Sequence, residues 1–167
     1  EALHALGHDD LLVAYPPSVR RGPEQDLARA ARLAHAGAKL VLAIDSELAI
    51  ERAAEEARAH AVELSLVLCI DMSLELAGGR VHLGVRRSPL RAPAEIVRLA
   101  QRIDALGGVR FAGLLCYEAQ VAGLADRNPF ARLENPVKQL IRAASVTDVA
   151  RRRNEIVQAL DRAADLD

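Results

Sequence analysis

The side chains best able to do chemistry in this 167-residue chain stand at the ends of apolar runs. Tyr15 closes Leu11 to Ala14, Asp45 closes Leu40 to Ile44, Asp71 closes Leu66 to Ile70, and Tyr117 closes the run that begins at Val109. A phenol in such a place can contact a ligand, and a carboxylate can act as an acid or base or bind a cation. Beyond Asp71 the chain places Ser73, Arg80, His82, Arg86 and Arg87 among Gly78, Gly79 and Gly84. Backbone N–H groups and guanidinium forks both suit oxyanions, so this stretch reads as a loop able to hold a phosphate or an anionic ring oxygen.

Each of these residues also has a plain structural reading. Tyr117 could be a core-edge residue with its hydroxyl in water, Asp45 a helix cap, Asp71 the acceptor of a loop hydrogen bond, and the basic loop a solvated turn. The phosphate-binding and dinucleotide fingerprints are both absent. The five histidines are scattered, none lies near Asp45 or Asp71 in sequence, and no metal site is expected. The run Arg151-Arg152-Arg153 reads as a solvated or inter-subunit helix face and is given no chemistry.

The elements that must position these groups alternate in type. Leu11 to Tyr15, stopped by Pro16-Pro17, reads as a buried strand, and Glu24 to His35 as an amphipathic helix ended by Gly37. Lys39 to Ile44 is a second buried strand, followed by a helix from Leu48 to His60 capped at Ser46. Val62 to Ile70 is a third strand, and the stretch after it reads as a long loop. Pro93 opens a helix whose apolar face is Ile96, Val97, Leu99, Ile103 and Leu106. Val109 to Tyr117 is the fourth strand, with both faces expected to be covered. Gln120 to Asn128 reads as loop, Pro136 to Ala144 as a short helix, and Ser145 to Asp148 as a cap that opens a last helix. This order predicts an α/β fold with parallel strands, either an open sheet or an arc of a (β/α)8 barrel. In both, ligands meet the C-terminal ends of the strands, where Tyr15, Asp45, Asp71 and Tyr117 fall.

Composition sets the outer bounds. With 51% hydrophobic and 27% charged residues the chain is globular, and a net charge of −1 favours neither nucleic acid nor a membrane surface as partner. No apolar segment reaches the roughly 18 residues of a spanning helix, and Glu1 lacks the basic flank of a signal peptide. Cys69 and Cys116 lie within apolar runs and read as reduced interior thiols, which places the protein in the cytoplasm.

The motifs D-L-L-V-A-Y-P, V-L-A-I-D-S, C-I-D-M-S with H-L-G-V, and F-A-G-L-L-C-Y-E-A-Q occur in an order and spacing that resembles the pyridoxal-phosphate barrel of the alanine racemase N-terminal class. The Tyr117-Glu118 element is most similar to the D-threonine aldolase and amino-acid deaminase branch. The resemblance runs from Asp9 to about Gln120. It implies a (β/α)8 barrel of which residues 1–167 form one partial domain, the second to fifth βα units. It also implies pyridoxal 5′-phosphate at the C-terminal mouth and an amino-acid substrate. On this pattern Tyr117, His82, Arg86, Asp71, Tyr15 and Asp45 line the cofactor wall. His82 stands where the family's R-x-G-V loop carries an Arg that touches the ring's phenolic oxygen, with Arg86 as the substitute cation, and Gln120 stands where His is common. The Schiff-base lysine is expected before Glu1 and the phosphate cup after Asp167, since Lys39 and Lys138, the two lysines of the chain, fit neither role. The metal cluster of the aldolase branch is not visible. The reaction so implied is that of a lyase or deaminase. A racemase, and a non-catalytic small-molecule-binding module, stay open beside it. An open arc of strands further implies a chain that is poorly stable or oligomeric on its own.

Overall fold

The computed structural model describes residues 1–76, 80–122 and 135–164, without the side chains of Asn135 and Val137. A one-turn helix α1 (Ala2–Ala5) precedes β1 (Asp10–Val13), α2 (Asp26–His35), β2 (Lys39–Ile44), α3 (Glu47–Ala59) and β3 (Leu64–Asp71). Then come β4 (Leu74–Leu76), β5 (Val81–Leu83), α4 (Pro93–Asp104), β6 (Val109–Tyr117), α5 (Ala119–Ala122) and α6 (Asn135–Ala164). Strands β1, β2, β3 and β6 form one sheet in that order, and every adjacent pair is parallel.

Sequential order among parallel strands has a consequence for the layers. Successive crossovers that do not reverse direction stack their helices on one face of a sheet. The main core agrees, because Leu27 and Ala31 of α2, Ala49, Ile50, Ala53 and Ala57 of α3, Ile96, Leu99 and Ile103 of α4, and Val149 and Ile156 of α6 all join Leu64, Leu66, Leu68 and Ile70 of β3. The alternate residues of the strands belong to a second cluster of Ala43, Val67 and Cys69 with Val41 and Leu115, to which no described helix residue contributes. Among the described residues the sheet therefore has a helix-covered face and a face without helices.

Strand β3 lies at the centre and is buried at all eight positions. Each buried leucine there contributes about 1.5–3 kcal/mol of transfer free energy. The outer strands differ from expectation. Strand β1 is an edge strand with Leu12 and Val13 exposed, so it is not the buried strand its apolar run suggests. Strand β6 spans the predicted residues but, as the other edge, is only half covered.

Three further differences have local causes. The stretch after Asp71 is an antiparallel hairpin, in which Leu74, Glu75 and Leu76 pair with Leu83, His82 and Val81, and its tip at residues 77–79 lies outside the described residues. Helix α5 takes up residues 120–122 of the expected loop, and the remainder of that loop lies outside the described residues. The two expected C-terminal helices are one, α6. Ser145 does not cap, because its hydroxyl is buried and donates to the Ile141 carbonyl one turn back, and Thr147 does the same toward Ala143. Ser46 occupies the N-cap position of α3 without a capping side-chain hydrogen bond. No helix among the described residues is long and apolar enough to cross a membrane.

Candidate functional site

Two groups of side chains meet at the C-terminal end of the sheet. The first is a polar knot around Ser73. Asp71 ends β3 with its side chain only 2% exposed. Its Oδ1 accepts the Ser73 backbone N–H at 3.0 Å, which closes a tight turn, and its Oδ2 accepts from Arg91. Arg91 also donates to Ser73 Oγ at 2.8 Å and to the Ser73 carbonyl at 3.0 Å. From β5, His82 Nε2 lies 2.7 Å from the same Ser73 hydroxyl. Arg152 of α6, which is 7% exposed, donates to the Asp71 and Ser73 carbonyls. Burial pushes the Asp71 carboxyl up, but the hydrogen bonds from Ser73 and Arg91 more than offset this and hold it below the usual carboxylate range.

The hairpin does what sequence distance concealed and brings His82 and Glu75 beside Asp71. Acceptor atoms of these three lie within 4.8 Å of one another, a spacing that could hold a metal ion. Arg91 sits among them, bonded to Asp71 and 3.8 Å from Glu75, so a permanent cation already occupies that field. The donor set fits a structural ion-pair knot better than a metal centre.

Gln120 ties the end of β6 to this knot. Its Nε2 donates to the Met72 carbonyl at 2.6 Å, while its Oε1 is buried without a partner. Gly84 packs against it with φ +119°. A Cβ at Gly84 would lie 2.7 Å from that Oε1 and 3.2 Å from Ser73 Cβ, so glycine is required on both conformational and steric grounds.

The second group is built around Arg87. Tyr15 follows β1 and Tyr117 ends β6, so the two tyrosines come from the opposite edges of the sheet. One guanidinium reaches both. Its carbon lies 4.4 Å from the Tyr15 ring centroid and 3.9 Å from that of Tyr117, and its Nη2 donates to the Tyr15 hydroxyl at 2.8 Å. Arg87 Nε is buried and has no acceptor among the described residues. Asp45 ends β2 on the same side. Its carboxyl is pushed up by burial, which the Ser46 hydroxyl only partly offsets. The Cys69 thiol below is pushed up by burial and by Asp45, while Arg87 lowers it. Asp45 and Arg87 thus act on one stretch of β3.

Of the sequence-selected residues, Tyr15 and Tyr117 meet at this second group, Asp45 lies at the same end of the sheet without a described contact to it, and Asp71 and His82 belong to the knot. Arg86 is exposed and pairs with Glu75 at 3.4 Å, so it does not join the tyrosines. Its neighbour Arg87 does. Two adjacent arginines carry no signal in sequence to tell them apart. Arg152 was passed over as part of a solvated run, yet it is buried while Arg151 pairs on the surface with Asp148 and Glu155. Its placement three residues after Val149 and four before Ile156, both buried, is the one trace that a helical wheel could have shown.

The pH behaviour of Asp45 follows from its sign. A carboxyl whose folded pKa is raised destabilises the fold once ionised, so its penalty is absent well below pH 4 and grows as pH rises through the raised value. Asp45→Asn is expected to raise the melting midpoint at pH 7, and the gain should vanish below about pH 4, the unperturbed carboxylate range. Thermal unfolding of both proteins across pH 3–8 checks this.

Fold and site together define a parallel α/β protein, with helices on one face and an arginine–tyrosine cluster at the strand ends. Neither a scan against protein-family models nor a search of the curated proteins finds a match to this chain.

Proposed function

We propose that this chain forms one wall of a pyridoxal-phosphate site in an enzyme that acts on amino acids, as a D-threonine aldolase-like lyase or a deaminase. The observation that carries this reading is the convergence of Tyr15, Arg87 and Tyr117 over the C-terminal end of a sequentially ordered parallel sheet. Four such strands with all helices outside correspond to half of a (β/α)8 barrel, whose ligands bind at that end. The burial of Ala43 and Cys69, at 0% and 1% exposure without a helix above them, supports a sheet that curls toward its helix-free face. The motif resemblance supplies the cofactor.

The residues fit one side of that group. Arg87 offers a cation whose Nε–H has no acceptor among the described residues to an anionic ring oxygen, the role that the resemblance gives to His82 or Arg86, and the two phenol rings offer flat apolar walls to a heteroaromatic ring. Bound pyridoxal phosphate would supply the electron-withdrawing ring that weakens bonds at the amino-acid α-carbon. This chain would hold the ring oxygen, exclude water with the two tyrosines, and present Asp45 as a carboxyl of altered acidity. Lys39 opens β2 at the end opposite the site, and Lys138 lies in the first turn of α6, outside the strands. The covalent lysine and the phosphate cup would come from segments outside residues 1–167. The exposed β1 edge, with a cavity of about 550 Å³ beside it lined by Leu11, Val13, Leu33 and Leu42, is consistent with a further βα unit, or a second copy of the chain, seated there.

The test is to mix the full-length gene product with pyridoxal 5′-phosphate. A visible absorbance band that survives gel filtration is expected, and its absence would sink the proposal. Screening D-threonine, D-serine and alanine for aldehyde release, ammonia release or stereoinversion then separates lyase, deaminase and racemase. The position of both lysines favours one second reading, a non-catalytic binding module of the cytoplasm.

A further inference from the structure

We infer that Arg87 is the centre of an oxyanion site for a planar carboxylate, complete within this chain and in need of neither a lysine nor the remaining strands of a barrel. Four other arginines near the ends of β3 and β6 are already partnered. Arg86 pairs with Glu75, Arg91 with Asp71, Arg152 with two carbonyls, and Arg153 with Glu118. For Arg87, no carboxylate among the described residues lies within ion-pairing distance. Its described hydrogen bond is to Tyr15, a neutral hydroxyl.

The ring contacts explain how such a cation persists. Aromatic faces attract a guanidinium through their quadrupole but leave its in-plane N–H groups unsatisfied. Tyr15 and Tyr117 thus hold the guanidinium without saturating it, and the buried Nε has no acceptor among the described residues. An unmet buried donor carries a desolvation cost that an incoming acceptor removes. The arrangement is preorganised for an anion, since the two rings hold the fork before any ligand arrives.

The geometry also selects among anions. A guanidinium edge matches the two coplanar oxygens of a carboxylate. Asp45, which stands one residue beyond the Ile44–Leu68 pairing and so beside Cys69 at the same end of the sheet, adds a negative charge that opposes a second charge on the ligand. A monoanionic carboxylate is therefore favoured over dianionic phosphate at this position.

The sequence provides its own reporter. The chain has two tyrosines and no tryptophan, and both tyrosines touch Arg87, so near-ultraviolet emission comes from the site itself. Titration with sodium acetate, against sodium chloride at matched ionic strength, is expected to change tyrosine emission saturably. Inorganic phosphate at neutral pH is expected to bind more weakly. Arg87→Met should weaken acetate binding about tenfold or more, the loss of one charged hydrogen-bonding group. Should that variant fail to fold, phenylglyoxal modification of the unaltered chain gives an independent measure: acetate should slow the labelling of Arg87, located by peptide mapping. No saturable change, equal binding by Arg87→Met, labelling unaffected by acetate, or phosphate binding as tightly as acetate would each overturn the assignment. Retention of pyridoxal phosphate is a separate readout, so loss of either function leaves the other reading standing.

Discussion

Replacing Asp71 by Asn is expected to lower the stability of the fold by about 2–3 kcal/mol, at or just below the roughly 3–5 kcal/mol for breaking a fully buried ion pair. The carboxylate accepts from the Ser73 N–H on one oxygen and from Arg91 on the other, with its side chain 2% exposed. An amide has one acceptor, so in either orientation its NH2 group faces one of those donors. Water reaches Arg91, whose side chain is 29% exposed, and that access keeps the effect below the upper limit. The loss corresponds to a melting point lower by roughly 4–12 °C for a chain of this size. The pH dependence has the opposite sign to that of Asp45. Because the folded pKa of Asp71 is depressed, its contribution is complete above the unfolded carboxylate value near pH 4 and is lost as pH falls toward the folded value. The gap between unaltered chain and Asn variant should therefore be constant from pH 5 to 8 and close in acid. A gap that persists unchanged at pH 2–3 would show that Asp71 does not act through its charge.

The second large effect belongs to α6. Arg152→Met is expected to cost about 1–3 kcal/mol, since it removes a buried donor to the Asp71 carbonyl and one of the two donors to the Ser73 carbonyl, which keeps Arg91. Arg152→Lys should not recover this, because a single ammonium cannot reproduce a planar fork that serves two acceptors. The neighbouring Arg151→Met should leave thermal unfolding unchanged, as its two ion pairs lie at the surface. Limited proteolysis gives the local view. Cleavage within α6 should accelerate in Arg152→Met and not in Arg151→Met. Equal behaviour of the two variants would contradict the clamp.

Strands β2 and β6 and helix α4 are legible in the sequence to within a residue or two, because apolar runs bounded by Pro, Gly and charge carry their own punctuation. Edge and centre were less legible. The run Leu11 to Tyr15 is as apolar as Lys39 to Ile44, and only the strand order, a long-range property, makes one of them an exposed edge. The hairpin was concealed because its strands are three residues each, too short for alternation to stand out from a glycine-rich loop. Ser145 misled for a chemical reason: the hydroxyl that caps a helix can also bond backward within one. At the site, strand-end position brought out Tyr15, Asp45 and Tyr117. The choice of Arg87 over Arg86 depended on the turn of a single loop residue.

The most direct measurement is borohydride reduction of the full-length gene product loaded with pyridoxal 5′-phosphate, followed by peptide mapping of the modified lysine. The expected result is one stoichiometric adduct on a lysine outside residues 1–167, at the C-terminal end of a strand adjoining β1, with adduct formation reduced in Arg87→Met. An adduct on Lys39 or Lys138, or no stable adduct at all, would contradict the account.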